Sequence, residues 1–342
     1  MRDDGVELMK TLLEITRVLG RAIVCVSLAG SVLAGTPAFA DWKPERGLEL
    51  LVGAGPGGGI DITARTLQKI FQDNKILPIP VTVVNKPGGG GAIAWQSLAQ
   101  RPGDGTMLAL SVPGLLTNNI TGVSSLKYSD LTPVVQLLSE YTVWTVREGS
   151  PIKSGKDMLD RLRTDPTSVS IAVGIGLGTP NHLASAMAAK AGGADVKKIR
   201  FVVLKSSGES ITAVLGGHVD VVASSPLSAA GFVSQGQLRP IAASSPQRLG
   251  SPYSSAPTWK EMGIDVTLAN WRGIVGPKGM TNEQVAYWEK AFLAAASTDE
   301  WKTQVQKNLW VSTFAKSADS RRYLENEEQM LRNILLEMGH PK

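Results

Sequence analysis

The sequence predicts an α/β protein of two lobes, each a doubly wound sheet, with a ligand cleft between them. Three observations carry that prediction. Apolar runs with strand character alternate with helix-forming segments along most of the chain, the pattern of strands feeding crossover helices. Glycine-rich stretches recur at the strand-to-helix junctions, as at Leu48–Arg65 and Val81–Gly91. Two apolar segments, Leu131–Val146 and Val266–Val275, read as crossings from one lobe to the other and back. A chain of 342 residues suits two domains. The expected division is a leader at 1–40, a first lobe from 41–143 and 268–342, and a second lobe from 144–267.

The leader reads as a secretory signal peptide. Arg17 and Arg21 precede an apolar run from Ala22 to Ala34, and Ala38-Phe39-Ala40 forms a small-residue cleavage site before Asp41. That run is shorter than the ~20 residues a spanning helix needs, which sets it against the alternative of an N-terminal membrane anchor. Cys25, the one cysteine, lies inside the leader, so the mature chain is expected to carry no thiol, disulfide or cysteine metal site. It also lacks the cleavage pattern of a lipid-attachment site. Export to a bacterial-type periplasm follows. Four basic residues in the leader (Arg2, Lys10, Arg17, Arg21) balance four acidic ones (Asp3, Asp4, Glu7, Glu14), so the net charge of +5 belongs to the mature chain. The positive charge is dispersed and not interleaved with aromatics, which argues against nucleic-acid binding.

In order, strands are expected near 48–52, 81–84 and 107–112, with helices near 61–72 and 91–100. After the first crossing come a helix at Ser154–Arg163 and a strand at Val169–Val173. A glycine loop, Gly174–Thr179, leads into a helix opened by Thr179 as N-cap and Pro180 in the first turn. The unit repeats as strand Ile199–Leu204, loop Lys205–Gly208 and helix Ser210–Leu215. Strands at Asp220–Ala223 and Leu238–Ala243 and a short helix at Thr258–Met262 precede the return crossing. Thr281-x-x-Gln284 forms a capping box for a helix at Val285–Ala296, and a long helix near Ala318–Met338 ends the chain.

The organising stretch is Leu48–Arg65. An apolar strand enters a loop holding Gly53, Gly55, Gly57, Gly58 and Gly59, and a helix begins near Asp61. Bare backbone N–H groups and a helix N-terminus suit an anion. The second loop, Asn85-Lys86-Pro87-Gly88-Gly89-Gly90-Gly91, has the same character, and the two are read as one wall of an anion site. Gly53-x-Gly55-x-x-Gly58 also matches a dinucleotide fingerprint. That reading wants an acidic residue at the end of the second strand, and Asn85 stands there.

Catalytic constellations are scarce. Of three histidines, His340 sits at the C-terminus, His218 in a Gly-Gly turn, and His182 in the first turn of a helix, where it is a candidate ligand contact or a packing or capping residue. No histidine pair has metal spacing, and the Ser150–Lys153 SxxK match lies on a proline-containing linker without its partner motifs. Asp61 has two readings. In one it steadies the helix N-terminus; in the other it orders a water or accepts from a ligand hydroxyl or amine. Trp95, Trp144, Trp259 and Trp271 are expected in the core, with Trp271 near enough to the return crossing to touch a ligand.

Taken together, these pieces resemble the solute-binding receptors of tripartite tricarboxylate transporters, also called Bug proteins. The resemblance rests on Pro56-Gly57-Gly58-Gly59-x-Asp61-x-x-x-Arg65, Asn85-Lys86-Pro87-Gly88-x-Gly90-Gly91 and Asp104-Gly105-Thr106. Leu131-Thr132-Pro133-Val134, Leu215–Asp220, Gly236–Pro240, Arg248, Pro257-Thr258, Glu261-Met262-Gly263 and Trp271-x-Gly273 follow in order. It implies a type II-like periplasmic binding protein, without enzymatic activity or cofactor, that holds a small carboxylate through backbone N–H groups and ordered waters. The implied ligand-binding residues are Gly57, Gly58, Gly59, Asp61, Pro87, Gly88 and Gly89 from the first lobe. The second lobe supplies Gly176, Thr179, His182, Ser206, Ser207 and Gly208. Departures from the family pattern are Gly53-Ala54 in place of Pro-Phe, Ile60 in place of threonine, and Trp95 in place of a small residue. The expected partners are a carboxylate ligand and a membrane permease or sensor, with the receptor a monomer. The alternatives are a flavin- or nicotinamide-dependent oxidoreductase using Gly53–Gly58, and a sensor partner that has lost ligand binding.

Overall fold

The computed structural model describes residues 42–57, 59–174, 177–204 and 206–339. The expected leader with Cys25, and Gly58, Gly176, Lys205 and His340, lie outside these residues. The chain opens with β1 (Leu48–Val52), α1 (Gly59–Asp73), β2 (Val81–Asn85), α2 (Ala92–Ala99), β3 (Met107–Ser111) and α3 (Gly114–Ile120). Two strands follow in direct succession, β4 (Leu131–Tyr141) and β5 (Val143–Arg147). Then come α4 (Gly155–Thr164), β6 (Ser170–Gly174), α5 (Pro180–Ala191), β7 (Arg200–Leu204) and α6 (Ser207–Leu215). Next are β8 (Val221–Ser224), α7 (Pro226–Ser234) and β9 (Leu238–Ala243). The chain ends with β10 (Ala269–Pro277), α8 (Asn282–Ser297), α9 (Asp299–Lys307), β11 (Val311–Lys316) and α10 (Ser317–Glu337).

Among the described residues these strands form two sheets, ordered β11-β4-β10-β3-β1-β2 and β7-β6-β8-β5-β9. The apolar run 131–146 therefore crosses in its middle: β4 belongs to the first sheet and β5 to the second, with Thr142 between them. β1 is parallel to β2 and β3, and β6 is parallel to β7 and β8, as the strand–helix alternation predicts. Both sheets are nonetheless mixed. β10 returns from the second sheet and inserts antiparallel between β3 and β4, and β5 lies antiparallel between β8 and β9. A strand that enters from the opposite sheet arrives at the carboxyl ends of the parallel strands, so it runs against them.

Local sequence explains the helix starts. Thr281 accepts the Gln284 N–H while the Gln284 side chain accepts the Thr281 N–H, the reciprocal cap predicted for α8. Ser154 and Ser206 cap α4 and α6 through the N–H groups of Asp157 and Glu209. Helices α3, α7 and α9 and strand β11 were not predicted from sequence. Pro113-Gly114 resembles a turn. Pro226 stands in the first turn of α7, where a missing N–H costs nothing.

One apolar cluster runs through both sheets, joining Trp144, Leu183 and Trp259 with Leu324, Leu331 and Leu335 of α10. Trp144 and Trp259 pack edge to face with centroids 5.0 Å apart, and the Trp144 indole donates to Ser185 Oγ at 3.0 Å. Ser244 ties the crossings together. Its N–H donates to Thr142 O, its Oγ accepts the Thr142 N–H, and the same Oγ donates to Leu268 O, each at 2.9 Å. Ser244 is fully buried, so losing the hydroxyl leaves a buried donor and a buried acceptor unmet. Ser244→Ala is expected to lower unfolding free energy by about 1–3 kcal/mol in urea titration; a midpoint unchanged from wild type would show that the clamp contributes nothing.

Candidate anion-binding site

The site begins where β1 ends. The Lys86 N–H donates to Val52 O at 2.8 Å, holding the second glycine loop beside the first. A Cβ on Gly53 would lie 2.5 Å from Gly91 Cα, so the two loops touch backbone to backbone and no larger residue fits. Beyond Gly53 the chain turns around Asp61, which is 1 % exposed. Asp61 Oδ2 accepts the Gly57 N–H at 2.8 Å and Arg65 Nε at 2.9 Å, and Oδ1 accepts Asn85 Nδ2 at 2.9 Å. Asn85 Nδ2 also reaches Ala54 O at 2.9 Å, and Arg65 Nη2 donates to Asn85 Oδ1 at 3.1 Å. Burial pushes the Asp61 carboxyl up, but hydrogen bonds from Arg65, Gly57 and Asn85 outweigh it and hold the group below its ordinary value. Asp61 thus accepts an amide from the loop before the helix. The Gly57 N–H, read from sequence as an anion donor, is committed to that carboxylate.

The second loop is exposed from Pro87 to Gly90. Gly88, Gly89, Gly90 and Gly91 have φ of 125°, 55°, 58° and 101°, a left-handed run that only glycine adopts in succession. Two supports fix it from below. The Trp95 ring lies beneath Gly91, and its indole N–H donates to Leu110 O at 2.9 Å. Asn118 of α3 donates to Gly89 O at 2.8 Å. Trp95, a departure from the family pattern, is therefore a buried strut. The Gly91 N–H closes the turn on Gly88 O at 3.1 Å, so the exposed part of the loop is Pro87 to Gly90.

Gly59 opens α1, and a Cβ there would come within 2.8 Å of Arg272 Nη2. Arg272, on β10, donates from Nη1 to Thr63 Oγ1 at 2.9 Å and from Nη2 to Glu140 Oε2 at 3.1 Å. Its guanidinium stacks 4.8 Å from the Trp310 ring centroid. Burial pushes the Glu140 carboxyl up and the Arg272 guanidinium down, and each charge opposes the other's shift. This pair braces the first turn of α1 from behind. Sequence reading missed it, although the signal was present: Arg272 and Glu140 are the sole charged residues of β10 and β4.

In the second sheet the equivalent junctions also meet. A Cβ on Gly174 would lie 2.7 Å from the Ser207 N atom, so the loops after β6 and β7 touch as the first pair do. Ser206 and Gly208 are exposed and Ser207 half-buried at the start of α6. Thr179 is the half-buried N-cap residue of α5. His182 is buried, its Nδ1 accepts the Gly178 N–H at 2.9 Å, and its ring stands edge-on to Phe201. Accepting at Nδ1 places the ring proton on Nε2 in the neutral form. His182 therefore fastens its own loop. Asn181, absent from the sequence-predicted set, accepts from Thr142 Oγ1 at 2.9 Å and links α5 to the first crossing. Trp271 is buried against Tyr323, away from both glycine loops.

Both loop pairs sit at the carboxyl ends of parallel strands, where open α/β sheets bind ligands. Residues 63–339 match the model of the tripartite tricarboxylate transporter family receptor. The chain belongs to that receptor family. The receptor is 31% identical over 292 residues to the "UPF0065 protein in gbd 5'region" of Cupriavidus necator, covering 84% of this chain and 87% of the relative. It superposes on a TctC solute-binding protein from Polaromonas with a TM-score of 0.74 at 24% identity, covering 86% and 99% of the two chains. It superposes on the R. palustris protein Rpa4515, solved with adipate, with a TM-score of 0.72 at 23% identity, covering 87% and 99%. These likenesses give the receptor the two-lobed binding-protein fold. The oxidoreductase alternative has no support in the family. Asn85, standing where a ribose-binding carboxylate would be, is engaged by Asp61, Arg65 and Ala54. Among the described residues no acidic, histidine or cysteine cluster suits a metal, and no helix is long and apolar enough to cross a membrane.

Two outcomes test this geometry. A carboxylate with a depressed folded pKa stabilises the protein fully above its ordinary value of 3.8, and that stability is lost as pH falls through the folded pKa. Asp61→Asn is therefore expected to lose about 2 kcal/mol at pH 7 and to show a shallower acid-side decline than wild type in denaturant melts from pH 7 to 3. Arg272→Met is expected to cost about 3–5 kcal/mol by stranding buried Glu140, and Arg272→Met with Glu140→Gln to recover most of it. Equal destabilisation by the single and double variants would rule out that account.

Proposed function

We propose that this receptor captures a small carboxylate in the periplasm and carries it to a membrane permease or a sensor. The lobes, from 41–143 with 268–342 and from 144–267, close on the ligand by rotating about the crossings at Thr142 and Leu268 that Ser244 joins. The observation that carries the proposal is the left-handed turn Gly88–Gly91, exposed as far as Gly90, with its buried Gly91 against Gly53 and supported by Trp95 and Asn118. Such a turn offers N–H groups to an anion without a charged side chain, and each bond to a carboxylate is charge-assisted. Donors fixed before the ligand arrives need no further ordering, which favours affinity.

Gly59, Pro87, Gly88 and Gly89 from the first lobe, and Thr179, Ser206, Ser207 and Gly208 from the second, are the proposed direct or water-bridged contacts. Gly57, Asp61 and His182 act by shaping the loops. Gly58 and Gly176 stay in the proposed set on the family resemblance alone. Adipate in a structural neighbour makes dicarboxylates the first ligands to test. The receptor acts as a monomer and needs no cofactor.

Gly89→Val is the discriminating variant, because a β-branched residue does not adopt a φ of 55°. Its Cβ meets only the Ala92 Cβ at 3.1 Å, so the fold should persist. Calorimetry with C4 to C6 dicarboxylates and aromatic acids is expected to show at least tenfold weaker binding by the variant, with a melting temperature only a few degrees lower. Unaltered affinity would remove the loop from the binding site. Absence of thermal stabilisation of wild type by any acid would favour the sensor-partner alternative.

A further inference from the structure

A second site is built beneath α10, apart from the glycine loops. A cavity of about 230 Å³ lies between α10 and strands β4, β10 and β11. Among the described residues, nine buried side-chain polar atoms lack a hydrogen-bond partner, and four of them belong to residues lining this cavity. They are both amide atoms of Gln136, Trp271 Nε1 and Glu327 Oε1. Buried polar groups are normally satisfied, and each one left unmet costs about 1–3 kcal/mol. A concentration of them around one void points to an occupant.

The lining decides its chemistry. Glu327 is 8 % exposed and is the one carboxylate on the wall; no lysine, arginine or histidine faces it among the described residues. Three aromatic side chains, Tyr141, Trp271 and Tyr323, complete the enclosure, the last two at 89° to one another with centroids 6.1 Å apart. An acid without a cationic partner, walled by π-faces, selects a cation that brings its own charge. The Gln136 amide and the Trp271 indole N–H add a place for a hydroxyl. Exposed Thr267 and half-buried Tyr323 stand at the mouth. The volume admits a molecule of about ten non-hydrogen atoms or fewer.

We propose that this cavity binds a small organic ammonium of the amino-alcohol type, with its nitrogen against Glu327 and its hydroxyl on Gln136 and Trp271. Burial holds the empty-site carboxyl up at about 7, with the Trp271 indole N–H on the same wall pulling it the other way. A bound cation draws out its proton, so affinity rises from pH 6 to pH 8. The other titratable groups on the lining, Tyr141 of β4 and Tyr323 of α10, are pushed up by burial and stay neutral across that range. Tyr141 ends β4 just before Thr142, and Thr267 and Ala269 flank Leu268, so the occupant rests against both crossings.

Calorimetry with choline, ethanolamine and tetramethylammonium at pH 8 tests the assignment, with tryptophan fluorescence as a second readout. Millimolar or tighter binding of choline is expected, at least tenfold weaker at pH 6 and at least tenfold weaker in Glu327→Gln. Trp271→Phe, which keeps the ring and removes the N–H, should weaken choline more than tetramethylammonium. Gly89→Val should bind choline as wild type does, so this site stands or falls separately from the carboxylate site. No binding by any of the three cations, or binding indifferent to Glu327→Gln, overturns the proposal. So does a high-resolution crystal structure grown with choline that shows the cavity holding water alone.

Discussion

The glycine loops of this receptor keep their shape because one carboxylate is buried among them. Asp61 is acceptor to the amide of the first loop, to an arginine on its own helix and to the asparagine ending the next strand. These three come from three segments of chain, and each would otherwise need its own partner. A negative charge beside an anion site looks self-defeating. Here it is neutralised by Arg65 and turned toward the protein interior, so it presents shape and not charge to a ligand. In the proposed site the donors are supplied by backbone geometry, so an acid can be held with few cationic side chains aimed at it.

The buried pair of Arg272 and Glu140 performs a related task one layer deeper. It joins the first helix to the crossing strands β4 and β10, the elements that continue into the second sheet. Together with the Ser244 clamp it ties the first helix and the two crossings by hydrogen bonds, while the exposed loops at the strand ends stay light in side chains. In the proposed closure the lobes turn about this bonded junction and bring bare backbone at the rim to the solute.

Much of the fold was legible because it is written locally. Thr179-Pro180 and Thr281-x-x-Gln284 announce helix starts whatever surrounds them, and β1, β2, β6 and β9 fell where apolar runs placed them. What failed to show depends on tertiary context. The strand β11 is polar and half-exposed at a sheet edge, so it lacks the run that marks a buried strand. The helix α7 opens on Ser225-Pro226, a start of the same kind as Thr179-Pro180 of α5, but its apolar residues are scattered around the axis and no stripe appears. In the site, the glycines were visible from their number and order. Asp61 and His182 each kept two readings, one toward a ligand and one structural, because whether a polar side chain faces a ligand or its own loop is settled by a few ångströms of backbone. Arg272 and Glu140 are 132 positions apart, and nothing in the sequence pairs them.

The contact between Gly53 and Gly91 has a consequence for how such receptors diversify. Two peptide chains pressed together without intervening side chains leave no atom there to vary. In the proposed site, the grip on the acid group is therefore generic, shared by any ligand that carries one. Discrimination among acids in that proposed site falls to side chains bordering the two loops, such as Ala54 and Ile60.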